Sequence, residues 1–395
     1  MKKINNILLV ISIVLAIVLG LLCPDFINEI SFIGTIYINL LKFMIFPIIF
    51  TSIVVTIHKS KKSKNKLLLK TVLLFVLMFI ISFLLTSLIV YIINPASNYS
   101  YNFIEWTGEA QKIKFTEVLV NLFPSNIITM IENNSLFPII ILSVLIGSVA
   151  SKVDNGEEVI KVIDGLKNIS YKILEYIMYL TPLAIISLLG GAIANYGNLI
   201  FAVGGKYILM VYLCSLIVML LVMILPVWII AKIDPITYVR KISKVWLMTI
   251  TTCSSAATLP TTIKVCNEEL KIPSNITNIT VPLGCTIHMC GGAVSFALLG
   301  LFCEELFGID ITITKFIVMV MSATLINMAA PGIPNGGIVI GASYLSILGV
   351  PLTFIGFYSS IYKLLDMSYT TLNVTGDITA NVILDELTKK KKTAK

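Results

Sequence analysis

The sequence predicts an all-α polytopic membrane protein whose C-terminal half has an inverted-repeat, re-entrant architecture. Three observations carry that fold class. Of 395 residues, 57% are hydrophobic and only 13% charged, with a mean hydropathy of +0.96, a composition far from that of a soluble globular domain. Apolar runs long enough to cross a hydrocarbon core of about 30 Å recur from end to end. Two C-terminal apolar segments are split by Ser-, Pro- and Gly-rich tips, the pattern of transporters whose discontinuous helices surround a midplane site. The formal net charge of +8 would suggest nucleic acid in a soluble chain. Here the basic residues cluster between apolar runs, where they set orientation, and no nucleic-acid partner is expected. Seven scattered cysteines, an odd number, imply no disulfide framework.

The first segment, "MKKINNILLVISIVLAIVLGLLCP", has the Lys2–Lys3 start of a signal peptide. However, Leu21–Leu22 precede Cys23 where cleavage wants small residues, so it reads as a retained span. Further spans are expected over Ile30–Ile57, Leu67–Ile93, Ile127–Ala150, Tyr171–Ala194 and Ala202–Ile233. The basic run His58–Lys66, the group Lys232, Arg240, Lys241 and Lys244, and the terminal Lys389–Lys392 all read as cytoplasmic. His58 reads as a solvated loop residue, the terminal lysines as a solvated tail, and Asn94–Asn134 faces outward. After Ile233 the pattern changes. Tyr238–Thr252 would make about 22 Å of helix, too short to cross, and leads to a tip at Cys253–Pro260. Ile276–Phe302 is long enough but interrupted by "PLGCTIHMCGG", and a second pair of arms flanks Ala329–Gly337. The half therefore reads hairpin, span, hairpin, span. Eight ordinary spans with loops is the plainer alternative.

The last span carries polar residues where apolar ones belong. Counting from Asp366, Tyr369, Thr370, Asn373 and Asp377 fall at +3, +4, +7 and +11, one helical face over three turns. An intramembrane carboxylate costs at least ~2.5–3.5 kcal/mol on insertion scales and is a functional candidate by default. About 16 Å of helix rise separates the two aspartates, too far to share a proton, so each should serve its own cation. No Lys or Arg lies between Lys363 and Lys389 to neutralise them.

"LDMSYTTLNVTGD" (Leu365–Asp377) closely resembles the final helix of the dicarboxylate/amino acid:cation symporter family, the glutamate transporter homologues. "CSSAATLP" (Cys253–Pro260) is similar to its first hairpin tip, "GIPNGG" (Gly332–Gly337) to its second, and "PLGCTIHMCGG" (Pro282–Gly292) to its unwound seventh span. The resemblance implies eight transmembrane helices plus two re-entrant hairpins in a homotrimer, with an elevator-type transport domain moving against a fixed scaffold. Residues 1–66 and 113–199 would be scaffold spans 1–2 and 4–5. Residues 67–112 and 200–233 would be spans 3 and 6 of the transport domain. Then follow hairpin 1 (234–271), span 7 (272–308), hairpin 2 (309–350), span 8 (351–388) and a basic tail (389–395). A plasma-membrane location with both termini cytoplasmic and a lipid-bilayer environment follow, with no cofactor and Na+ or H+ as coupling ion.

The resemblance also implies roles. Asp366 would hold the substrate amino group and Asn373 the α-carboxylate, with Thr370 beside them. Ser254, Ser255 and the tip Ile333–Pro334 would close over the substrate. Asp377 would ligate sodium with Asn373 and the Gly284 carbonyl, and Thr286, Met289 and the carbonyls around Met328–Ala329 would build a second sodium site. Hard cations take such oxygen donors.

Two departures from the family bear on function. Acidic-substrate members carry an arginine where Tyr369 stands, and a buried carboxylate without a partner costs several kcal/mol, so a small neutral amino acid is the expected substrate. The family's Asn-Met-Asp-Gly-Thr motif here reads His288-Met289-Cys290-Gly291-Gly292. Its third-span Thr-Ser pair becomes Met78-Phe79, and a nearby tyrosine becomes Phe75. One sodium site is thereby deleted, and reduced sodium coupling is expected. His288 is the alternative proton site, since imidazole titrates near neutral pH. A Cys285–His288–Cys290 metal site lacks a fourth ligand. An intramembrane protease needs two facing aspartates, whereas these lie along one helix, so no enzyme is expected. A glutamate/aspartate or dicarboxylate symporter, a passive channel and a non-transporting sensor are the competing readings.

Overall fold

The computed structural model describes residues 2–62, 66–97, 126–128, 136–197, 199–327, 336–350 and 353–393. Among them every regular element is helical. Numbered consecutively, the N-terminal helices are α1 Lys2–Leu22, α2 Pro24–Glu29, α3 Ser31–Phe43, α4 Ile45–Lys62 and α5 Lys66–Ile93, followed by α6 Leu136–Val149, α7 Gly156–Met178 and α8 Thr181–Tyr196. Then come α9 Leu199–Val218, α10 Pro235–Thr252, α11 Ser255–Lys264, α12 Ser274–Ile287, α13 Cys290–Leu306, α14 Ile313–Asn327, α15 Gly336–Leu348 and α16 Thr353–Thr393. Among the described residues three helical stretches are long and apolar enough to cross a membrane: Leu69–Ile93, Phe201–Ala231 (α9 continued by π-helical turns) and Ser274–Leu306 (α12 and α13). Two bent pairs add to these, one turning 118° at Cys23 and one turning 55° between Ile177 and Thr181.

Several expectations need correction. The span read as Tyr171–Ala194 is not one helix, because the break at Tyr179–Leu180 falls inside it and α7 starts back at Gly156. His58 is not a solvated loop residue. The helix α4 runs on past the apolar stretch to Lys62, and His58, 2% exposed, meets Glu157 of α7 through Nε2 and Oε1 at 3.0 Å. The terminal lysines do not begin a separate tail: α16 continues to Thr393, and Lys389 pairs with Asp385 at 2.7 Å and Glu386 at 3.0 Å, one helical turn back. Part of the stretch read as the fourth span, residues 129–135, lies outside the described residues, as does the second hairpin tip, 328–335.

The hairpin arms come out short. Asp234 caps α10, its carboxylate accepting from the Thr237 N–H at 2.9 Å with Pro235 in the first turn. The helix ends at Cys253, which adopts a left-handed backbone (φ 47°), and Ser254 caps the return helix by accepting from the Ala257 N–H at 3.3 Å. The tip is thus two residues, not Cys253–Pro260, and Pro260 sits inside α11. Span 7 is likewise broken only at His288–Met289, where His288 is extended and Met289 is non-helical, with Pro282 inside α12. The arms α14 and α15 have 15 and 13 residues, about 22 and 20 Å at 1.5 Å per residue, short of a full crossing.

Packing centres on α16. One apolar cluster joins Tyr238, Ile242 and Val245 of α10 to Val374, Ile378 and Val382 of α16. A threonine ladder closes the same seam. Thr371 shares a hydrogen bond with Thr249 (2.8 Å), Trp246 Nε1–H donates to Thr375 (2.8 Å), and Tyr238 shares one with Thr379 (3.0 Å). A second, larger cluster gathers α5, α9, α13 and the N-terminal part of α16. Glu304 of α13, fully buried, pairs with Lys315 of α14 at 2.8 Å. Outward, Leu69, Leu73, Leu77, Ile81, Leu84 and Leu88 form an exposed apolar face on α5, and Val159, Val162, Leu166, Ile169 and Ile173 form another on α7. Continuous apolar faces of that size need lipid or protein against them.

Candidate functional site

The two hairpins, the break in span 7 and the stripe on α16 converge on one pocket. From α16 come Tyr362, Asp366, Tyr369, Thr370 and Asn373; from hairpin 1, Cys253 and Ser255. Met289, Gly292, Ser295 and Phe296 line it from span 7, and Asn327, Gly337 and Ile340 from hairpin 2. Each piece is placed by a local cause. The left-handed Cys253 and the Ser254 cap aim the first tip at α16, and the non-helical His288–Met289 pair lets α13 restart against it.

Asp366 is 6% exposed. Thr370, one turn on, donates its hydroxyl to Asp366 Oδ1 at 3.0 Å, which orients the carboxylate. Asn373 Oδ1 accepts the Gly291 N–H at 2.7 Å, tying α16 to the first turn of α13 and leaving the amide NH2 as its donor. Gly291 must be glycine, because a methyl group there would overlap the Tyr369 backbone. Tyr369 is 3% exposed, its ring 6.3 Å from that of Tyr362. No lysine or arginine is among the described residues lining the pocket. Lys363, one turn before Asp366, lies near Cys253 at the pocket edge.

Asp377 has different surroundings. It is 1% exposed, and its Oδ1 shares a 2.8 Å hydrogen bond with Nδ1 of His288, whose side chain is fully buried. The other ring nitrogen lies 3.1 Å from Cys290 Sγ. The imidazole stacks on Phe75 at 4.3 Å and 10°, and Phe75, Met78 and Phe79 are all buried. Gly284 abuts the carboxylate, where any side chain would collide with Asp377. The Gly284 carbonyl accepts the His288 N–H at 2.9 Å. The ligand positions expected around Asp377 are therefore engaged with protein groups, and the imidazole stands beside the carboxylate.

Of the residues expected at the site, the structure brings Asp366, Tyr369, Thr370, Asn373, Ser255 and Met289 to the pocket, and Gly284 and His288 to Asp377. Two do not join these groups. Ser254 spends its hydroxyl capping α11, because it sits at the helix start. Thr286 is exposed and donates to the Leu283 carbonyl one turn back, at 2.8 Å. Ile333 and Pro334, and the carbonyls at Met328–Ala329, lie outside the described residues. Sequence reasoning passed over Tyr362, Ser295 and Asn327. Tyr362 carried a usable signal, falling four residues before Asp366 on the same stripe. Ser295 and Asn327 carried none, since each is a single polar residue in an apolar arm.

Residues 6–387 match the family model described as the sodium:dicarboxylate symporter family. The chain is 24% identical to the proton/sodium-glutamate symport protein of Geobacillus stearothermophilus, over 95% of this chain and 92% of that one. It is 23% identical to the proton/glutamate-aspartate symporter of Bacillus subtilis, over 98% and 96%. With mouse excitatory amino acid transporter 3 it shares 25% identity over 96% and 85%. A match over nearly the whole chain, with the hairpins, the broken seventh span and the polar stripe meeting at one pocket, makes this protein a member of the sodium:dicarboxylate symporter family.

Proposed function

We propose that the protein is a secondary active, cation-coupled symporter of amino acids, working by an elevator motion of spans 3, 6, 7, 8 and both hairpins against a trimeric scaffold of the remaining spans. The observation that carries this reading is Asp366: a buried carboxylate held by Thr370 and facing a pocket walled by both hairpins. That carboxylate suits an ammonium group, and the Asn373 amide suits a carboxylate. The exposed apolar faces of α5 and α7 support contact with lipid and with other copies of the chain.

Two finer points belong to the same reading. The substrate is a small neutral amino acid, since Tyr369 offers a hydroxyl where acidic-substrate members of the family offer an arginine. Sodium coupling is reduced, because Phe75, Met78 and Phe79 fill one site and the His288 imidazole occupies an oxygen of Asp377. A proton carried in place of a sodium ion is the alternative for the second ion. A second substrate reading also has an observation behind it. Relatives are named for glutamate and aspartate, and Lys363 at the Cys253 edge is a cation within reach of the pocket. It would then clamp an acidic side chain.

Uptake of labelled serine and aspartate into proteoliposomes, under an inward sodium gradient at matched pH, decides between them. Serine accumulation alone supports the neutral reading. Aspartate accumulation that Lys363→Met removes supports the acidic one. If neither moves until a pH gradient is imposed, the proton is the coupling ion. If neither moves under either gradient, the symporter reading falls.

A further inference from the structure

The corner between α9 and α10 lies outside both the pocket and the Asp377 group. An exposed apolar face runs along α9 through Leu209, Leu216 and Leu220. It continues over the π-helical turns to Trp228 and Ile229, 54% and 63% exposed. It stops at Lys232, whose left-handed backbone (φ 54°) ends the helix. Across the corner Ile236 is 71% exposed, and Arg240 and Lys244 follow it one and two turns on along the same exposed face of α10. Between Lys232 and Lys244 four basic residues stand against one acid, Asp234. That acid spends its carboxylate capping α10, and Lys244 pairs with Glu269 at 3.0 Å. Lys232 and Arg240 are exposed and form no ion pair among the described residues. An apolar face that ends at an exposed tryptophan, with cations just beyond it, is the profile of a hydrocarbon–headgroup boundary. An excess of basic residues alone would only set orientation; the exposed Trp228, Ile229 and Ile236 beside them do not follow from that rule.

We propose that this corner docks an anionic phospholipid, with Lys232 and Arg240 meeting the headgroup phosphate and Trp228, Ile229 and Ile236 lying against the upper acyl chains. A guanidinium can pair with phosphate through two parallel hydrogen bonds, and each basic residue near an anionic surface adds to the attraction. Phosphatidylcholine carries the same phosphate, but its choline cation cancels the charge, so phosphatidylglycerol should be preferred. Docking of this kind holds whatever substrate the pocket takes.

The test uses the full chain in bilayers of phosphatidylcholine and phosphatidylglycerol at one fixed ratio, with brominated acyl chains on one lipid or the other. Bromine quenches a nearby indole, and the part of the quenching lost in Trp228→Phe belongs to this corner rather than to the other tryptophans, Trp106 and Trp246. Brominated phosphatidylglycerol should be favoured there by about 5-fold or more, mole for mole, and the preference should fall as salt is added. Lys232→Asn together with Arg240→Gln should pull the ratio toward one; asparagine tolerates the left-handed backbone at 232. Equal quenching by the two lipids in the wild type overturns the site without any variant having to fold. A preference that survives the double substitution, or that salt leaves unchanged, overturns it as well. If glycerol phosphate abolishes the preference at an ionic strength where chloride leaves it intact, the cations serve a soluble phosphate and the lipid is overturned.

Discussion

Asp366 and Asp377 share one face of one helix, eleven residues apart, and are both buried, yet their surroundings are opposite. Asp366 opens on a pocket, with a threonine hydroxyl beside it and helix tips around it. Asp377 is sealed, bonded to an imidazole that is itself stacked on a phenyl ring. The stripe pattern made them equivalent; the neighbours made them different. A carboxylate facing a pocket can exchange its partner with each cycle. One bonded to a fully buried histidine can bind a cation only by sharing or releasing that histidine. On the proposed roles of the two aspartates, the contrast teaches that substrate and coupling ion would be separated by enclosure as much as by distance along the helix.

The largest effect should come from Asp366→Asn. Losing the charge that pairs with an ammonium in a buried site costs about 3 kcal/mol or more, roughly 100-fold or more in apparent serine affinity. Thr370 can still bond the amide oxygen, so the fold should hold. Retained high-affinity uptake would break the comparison at its substrate end. A several-fold effect is expected of His288→Asn, which replaces the imidazole by an oxygen donor: uptake at matched pH should become more dependent on external sodium. Unchanged sodium dependence would make His288 a packing residue only. The smallest effect belongs to the opposite face of the same helix. Thr375→Val removes the hydrogen bond from Trp246, about 1 kcal/mol by the usual net value, visible as a lowered midpoint in thermal unfolding. Substrate uptake should not change, because Thr375 faces hairpin 1 rather than the pocket.

How much of this was legible beforehand depends on whether a feature is local. The stripe Asp366–Asp377 follows from periodicity, and the structure keeps it on one helix; the arm read as Tyr238–Thr252 starts earlier, at Pro235, and the interruption read over Pro282–Gly292 narrows to His288–Met289. Extent was harder. The first tip shrank to Cys253–Ser254 because one left-handed residue and one cap suffice to reverse the chain. The lysine end stayed helical because Asp385 and Glu386 lie one turn before Lys389. Pairings were not legible at all. His58 with Glu157, Glu304 with Lys315, and Ser295 with Tyr358 join different helices, and nothing in either partner's own neighbourhood marks the other.

By itself the sequence determined the solvent and the local geometry: an apolar composition that demands a bilayer, backbone that must be helical there, and one helix face too polar to look at lipid. Those follow because hydrophobicity and helical repeat are properties of neighbouring residues. Only the tertiary structure decided that Asp377 would meet His288 across 89 residues, that Asn373 would hold Gly291 across 82, and that Ser295 would meet Tyr358 across 63. Charge, hydrogen bonding and enclosure act over a few ångströms of space, and it is folding that brings residues so far apart in the chain within that range.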